Sequence, residues 1–284
     1  MRDDFAILIL SHGRADHVHT IKTLDKCGYT GKWYIVLDTE DDQEQKYRDN
    51  FGDEHIILFD KTYAATKFDI MDNFPGRGVP TFARNMFWEI AHNLGLKYFL
   101  ELEDDYVSFN FRLKIADHLP LVQVEDFDAV CDAYIEYLEK SKALTVAFCQ
   151  IGDLMGGLGS STYKKRVLRK AMNCFFCKTD VEFRFLGRFN DDVNAYIQYG
   201  KTGGLFLTTV DTCMTQPLTQ QNTGGITAAY KGYGTYVKSF YSVMLRPDAV
   251  KIAMMGRNDA RIHHKIDTLK AYPMIISDKY RKEK

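Results

Sequence analysis

Three apolar runs in the first part of this chain each end abruptly in a polar cluster, and that punctuation restricts the fold more than any other feature. The run at 5–10 gives way to Ser11, His12, Gly13 and Arg14, and a β-branched and aromatic run at 33–37 stops at Asp38. A third, at 97–102, passes directly into Glu103, Asp104 and Asp105. Helical patterns separate them. One carries Val18, Ile21 and Leu24, with Asp16 as its expected cap and Gly28 as its end. A polar helix at 43–50 leads to a short strand at 56–59. A helix at 81–94 sets Phe82, Met86, Ile90 and Leu94 on one face and closes at Gly95. Strands alternating with helices imply right-handed βαβ units and a mainly parallel sheet.

The later sequence predicts a helix at 126–140, a strand at 144–148, a flexible glycine-rich loop at 152–161, strands at 174–177 and 204–210, and a helix near 235–244. Neither an internal repeat nor a Pro/Ser-rich linker divides the chain, so residues 1–284 are expected to form one domain. With 45% hydrophobic and 26% charged residues the composition is that of a globular protein. A net charge of -1 excludes a basic coat for nucleic acid but leaves room for a local basic patch. The early apolar run is too short for a bilayer, and Met1-Arg2-Asp3-Asp4 does not open a signal peptide. No membrane partner and a cytoplasmic location are therefore expected. The cysteines are scattered, which predicts free thiols. Cys174 and Cys177 have metal-like spacing, but residues three apart in a strand face opposite ways and cannot grip one ion.

In a doubly wound sheet, ligands bind beyond the carboxyl ends of the strands. Here those ends carry Ser11–Arg14, Asp38 and the acidic triplet. No GxGxxG or GxxxxGK[ST] follows a strand, which disfavours dinucleotide and P-loop sites. Carboxylates crowded at a strand end repel unless a cation sits among them, so the triplet reads as a Mg²⁺ or Mn²⁺ site bridging to a diphosphate; a charged turn is the plainer reading. In a persisting strand, Glu103 and Asp105 would face one way and Asp104 the other. Asp38 suits either a ribose or base contact or a helix cap. Arg84 and Asn85 could present donors to a diphosphate, or form a surface ion pair. Asp191 and Asp192 precede an apolar-aromatic helix, where they could satisfy the helix end or supply a general base. His263 and His264 sit among basic neighbours, and adjacent histidines diverge, so one at most enters a site. The basic run at 163–170 and the stretch at 230–238 could grip phosphates and stack bases, or could be solvated surface.

In this order, Ser-His-Gly-Arg after a first strand, a strand-end Asp, an Ala-Arg-Asn helix, an acidic triplet, Asn-Asp-Asp before a helix and a late His resemble a GT-A glycosyltransferase. The pattern is similar to the TET-associated glycosyltransferases of bacteriophages, which are linked to sugar addition on hydroxymethylated pyrimidines in DNA. The resemblance runs from about residue 5 to about 280. It implies a Rossmann-like GT-A domain whose donor half spans about 1–110 and acceptor half about 111–284. Ser11, His12, Gly13, Arg14, Asp38, Arg84, Asn85, Glu103 and Asp104 would bind a nucleotide sugar, a UDP-sugar by expectation. Glu103-Asp104-Asp105 would be the DXD-type motif, with Glu103 standing where that motif has Asp. Asp105, Glu103 and one of His263 and His264 would hold Mn²⁺ or Mg²⁺. Asn190-Asp191-Asp192 matches the family's xED motif, which implies that Asp192 acts as base with Asp191 beside it. The implied acceptor is 5-hydroxymethylcytosine in DNA. A carbohydrate or protein acceptor, or an inactive DNA-binding module, are the alternatives.

Overall fold

The computed structural model describes residues 1–217, 226, 230, 232–234, 236–256, 261–272 and 278. The chain begins β1 (Phe5–Leu10), α1 (His19–Lys26), β2 (Lys32–Asp38), α2 (Glu44–Phe51), β3 (Ile56–Phe59), α3 (Lys61–Lys67), α4 (Pro80–Asn93) and β4 (Tyr98–Glu103). There follow β5 (Ser108–Phe111), β6 (Val122–Gln123), α5 (Phe127–Ser141), β7 (Thr145–Gln150), α6 (Ser161–Lys165), β8 (Val167–Leu168) and β9 (Phe175–Lys178). The last described elements are α7 (Asp191–Lys201), β10 (Phe206–Thr215), α8 (Val237–Leu245), β11 (Val250–Met255), β12 (Arg261–Ile266) and α9 (Thr268–Ala271).

One sheet runs in the order β3-β2-β1-β4-β9-β7-β10-β5-β6, with β8 on β10. Strands β3, β2, β1 and β4 are mutually parallel, and β7 is parallel to β10. Strand β9 lies antiparallel between β4 and β7. This is the mixed, mainly parallel α/β sheet expected of a GT-A fold. Because β2 and β4 flank β1 on opposite sides, the strand order reverses at β1. The register puts Leu10 opposite both Val36 and Glu103, and Asp38 opposite Phe59. The chain therefore leaves β1, β2 and β4 side by side at one edge, where all three polar clusters meet.

The apolar run of β1 is buried on both faces, as a central parallel strand requires. Helix α4 buries most of its circumference because it lies between the sheet and the segment after β9: Trp88 meets Phe99 of β4 at 5.2 Å and Phe183 at 4.9 Å, both edge-on. Leu94, expected on its buried face, is the C-cap and is exposed. Asp16 does not cap α1; Val18 occupies that position without a side-chain bond, and Asp16 pairs with Lys46 instead. The glycine-rich stretch at 152–161 is organised rather than irregular, forming two short 3-10 turns before α6. All six cysteines are free and buried, and Cys174 and Cys177 flank or lie in β9 as interior thiols. Among the described residues no helix is long and apolar enough to cross a membrane.

Candidate active site

A single cavity at the sheet's reversal point is lined by Ser11, His12, Arg14, Asp38, Glu103 and Asp104, above an apolar floor that includes Leu10, Phe59, Val79 and Ala83. The loop after β1 is shaped by side chains from α2 and the turn before it. Gly13, at φ +65°, donates its amide to Asp41 Oδ2 at 2.8 Å. The Tyr47 hydroxyl lies 2.7 Å from Ser11 Oγ and accepts the Arg14 amide at 2.8 Å. Neither Asp41 nor Tyr47 stood out in the sequence. The signal for Tyr47 was an aromatic midway along a largely polar helix, and it is fully buried.

Asp38 is engaged at both oxygens. Oδ1 accepts the Glu40 amide at 2.9 Å, while Oδ2 lies 2.9 Å from His12 Nδ1 and 3.1 Å from Lys61 Nζ. Burial pushes its pKa up, but the His12 and Lys61 contacts outweigh that and hold it below the ordinary carboxylate value. The same pair raises His12, through its bond to Asp38. Asp104 faces the first loop: it accepts from Ser11 Oγ at 2.5 Å and from Arg14 Nη1 at 2.8 Å, tying the end of β4 to the end of β1. Strand β4 ends at Glu103, so strict alternation does not continue through the triplet.

Arg84 sits behind this cavity, almost fully buried, and faces three carboxylates at once. Nη1 donates to Asp191 Oδ1 at 2.9 Å, Nη2 donates to Glu103 Oε1 at 2.6 Å, and Nε lies 2.7 Å from Glu101 Oε1. The guanidinium is thus a buried hub, neither a surface pair nor a row of open donors. Asn85 likewise turns to the protein, clamping the Phe185 amide at 2.8 Å and its carbonyl at 3.0 Å. One cation cannot balance this much carboxylate. Burial drives Glu101 up to about 8, against the pull of Arg84. Glu103 is pushed up by the same burial and by Asp105 and Asp104, although about a quarter of its side chain (26%) is exposed and so screened by water.

Helix α7 begins at Asp191 after Asn190, which adopts φ +54°. Asp191 spends its Oδ1 on Arg84 and lies 3.3 Å from the Thr81 hydroxyl. Asp192, also buried, accepts only the neighbouring Val193 amide at 2.7 Å among the described hydrogen bonds. Burial and the adjacent Asp191 raise it to about 6, with Arg84 opposing. The His264 ring lies against this helix start, Nδ1 being 3.1 Å from Asn190 Nδ2, and burial lowers it to about 4. His263 points into a separate cavity with Lys238 and Arg261. Among the described residues no three or more His, Cys, Asp or Glu side chains come together as a ready-made metal cage.

Arg188, another residue the sequence did not single out, is buried and binds Asp72 with two donors, at 2.8 and 2.9 Å. It also donates to the Phe74 and Gly76 carbonyls, both at 2.9 Å. It thereby fixes the segment leading to Gly78 and Val79, which line the cavity. The basic run at 163–170 is less available than expected, since Arg166 pairs with Asp211 and Lys170 with Asp153. Of the stretch at 230–238, Lys231 and Thr235 lie outside the described residues.

Among solved structures the chain is similar to glucosyl-3-phosphoglycerate synthase from Mycobacterium tuberculosis in complex with Mg²⁺ and UDP, with 9% identity and a TM-score of 0.45 over 92% of this chain and 87% of that one. It is also similar to S. aureus TarS 1–349 with UDP-GlcNAc, at 10% identity and TM-score 0.48 over 86% and 66%. A third is the mannosyltransferase PcManGT from Pyrobaculum calidifontis with GDP-Man and Mn²⁺, at 12% and 0.45 over 84% and 64%. No curated protein matches the sequence. The family model for TET-Associated Glycosyltransferase matches residues 5–225, most of the chain and every strand-end cluster described above. The protein therefore belongs to the TET-associated glycosyltransferases and is a glycosyltransferase enzyme.

Proposed function

We propose that the enzyme transfers a sugar from a UDP-sugar to 5-hydroxymethylcytosine in DNA, within a single domain whose donor half spans about 1–110 and acceptor half about 111–284. The observation that carries this reading is the meeting of Ser11, His12, Arg14, Asp38, Glu103 and Asp104 in one cavity, with a carboxylate on a later element, Asp192, that makes no ion pair among the described residues. The apolar floor suits the flat face of a base. Asp38 Oδ1 retains one lone pair for a base or ribose donor beyond the Glu40 amide, while Oδ2 is taken by His12 and Lys61.

The carboxylate surplus around Arg84 fits a divalent cation: the carboxylates are hard-oxygen donors, and Mg²⁺ is usually held by one or two carboxylates plus substrate phosphates, so a closed protein cage is not required. Asp105, with Glu103, would hold it, and His264, which lies 3.1 Å from Asn190 at the start of α7, would add a nitrogen donor. Bound there, the ion would neutralise the departing diphosphate. Asp192 takes the proton from the acceptor hydroxyl as its oxygen bonds to the anomeric carbon and the bond from that carbon to the diphosphate breaks. With a pKa of about 6, Asp192 is ionised at neutral pH yet basic enough to accept that proton. Asp191, held by Arg84, sets the helix start that positions it.

Support for the DNA acceptor comes from the resemblance to a family linked to hydroxymethylated pyrimidines. A 5-substituent already projects into the major groove, so base flipping is not a prerequisite. Calorimetric titration with UDP tests the donor half. Binding should require Mn²⁺ or Mg²⁺, vanish in EDTA and weaken at least tenfold in Asp105→Ala; equal affinity with and without chelator would remove the metal from the account.

A further inference from the structure

We propose that the cavity between α8 and β12, lined by Tyr236, Lys238, Arg261, Ile262 and His263, is an anion subsite that takes one backbone phosphodiester of the acceptor strand; the proposal rests on the DNA reading above. The cavity measures about 280 Å³ and is separate from the one formed by the strand ends. No carboxylate lines it among the described residues. His263 Nδ1 is buried, with no hydrogen-bond partner among the described residues.

Electrostatics agree with the geometry. Burial lowers Lys238, and Arg261 lowers it further while Asp192 pulls the other way. His263 lines the same pocket. Among the described residues, the other groups around these three are His264, whose ring centroid is 4.2 Å from that of His263, and Tyr230, whose ring lies 5.7 Å from Lys238 Nζ. Like charges gathered in a partly buried pocket are costly unless an anion joins them. The location decides which anion. Asn190, immediately before Asp191, donates to the Lys238 carbonyl at 2.9 Å and lies 3.1 Å from His264 Nδ1, so a phosphate held here lies on the acceptor side of the base. Tyr236, half exposed at the rim, offers a face on which a flanking base can stack.

The test is fluorescence anisotropy with a short single-stranded oligonucleotide containing hydroxymethylcytosine, over a salt series, for the unaltered protein and Arg261→Gln. Arg261 is exposed and outside the donor cavity, so the variant should fold, which a thermal melt verifies. Affinity should fall about tenfold and the salt slope should shrink by about one phosphate contact, 0.7 for a single strand. UDP affinity should stay within about twofold. A methylphosphonate scan should reveal one position where neutralising the phosphate weakens the unaltered protein but not the variant. An unchanged slope in Arg261→Gln, with DNA still bound, overturns the subsite and leaves the DNA reading standing. A parallel loss of UDP affinity overturns it by assigning the pocket to the donor. If inorganic phosphate fills the pocket while DNA affinity ignores Arg261, it is a free-phosphate site and the proposal fails. Absence of oligonucleotide binding by the unaltered protein overturns the DNA reading and the subsite together.

Discussion

Arg84 Nη1 donates to Asp191 Oδ1 at 2.9 Å, joining the helix that precedes the acidic strand to the helix that carries the candidate base. The same guanidinium holds Glu101 and Glu103, so one side chain fixes the back wall of the site. Replacing it leaves buried carboxylates without a counter-charge. Arg84→Leu should cost about 3–5 kcal/mol of stability, the scale for breaking a buried pair by removing one partner. Denaturant unfolding at pH 7.5 measures it, and a change below about 1 kcal/mol would remove Arg84 from its structural role.

Asp191 and Asp192 should separate cleanly. Asp192→Asn keeps size and loses basicity, so kcat should fall about a hundred- to ten-thousand-fold while UDP affinity and melting temperature hold. Asp191→Asn keeps an acceptor for Arg84 but loses charge, and should cost about 1.5–3 kcal/mol of stability, the range for a charge-assisted bond. The opposite pattern, with kcat lost in Asp191→Asn and spared in Asp192→Asn, would exchange their roles.

Only the ionised Asp192 can accept a proton, so kcat should decline as pH falls through about 6 and level off above it. The residual rate of Asp192→Asn should lack that limb. A limb that persists in the variant belongs to another group.

Glu101 supplies the opposite sign, in stability. Its folded value of about 8 exceeds the ordinary 4.5, so between those limits the unfolded chain binds fewer protons and stability falls as pH rises. One proton contributes at most about 1.4 kcal/mol per pH unit. Melting curves in chelator from pH 5 to 8.5 should show this decline, and Glu101→Gln should flatten it. An equal decline in both proteins would place the surplus charge elsewhere.

The sequence made the strand ends legible because a buried strand must stop where the chain turns polar: Ser11, Asp38 and Glu103 were readable from pattern alone. What supports them was not. Tyr47, Asp41 and Arg188 act through partners that no local window contains, and Arg84 reaches Asp191 across 107 positions. Asp16 failed as a cap because α1 begins at His19 with Val18 at the cap position, which leaves the Asp16 side chain to pair with Lys46 on the surface. Strands β11 and β12 escaped notice because their exposed faces mix Met, Lys and His without the alternation that marks a half-buried strand.

Mass spectrometry of hydroxymethylcytosine-containing DNA, after incubation with the enzyme, Mn²⁺ and a panel of nucleotide sugars, reaches the central claim most directly. One UDP-sugar should add the mass of a single sugar residue to hydroxymethylcytosine, with unmodified cytosine untouched and no product in EDTA or with Asp192→Asn. DNA that keeps its mass with every donor, while a carbohydrate or protein acceptor gains a sugar under the same conditions, would contradict it.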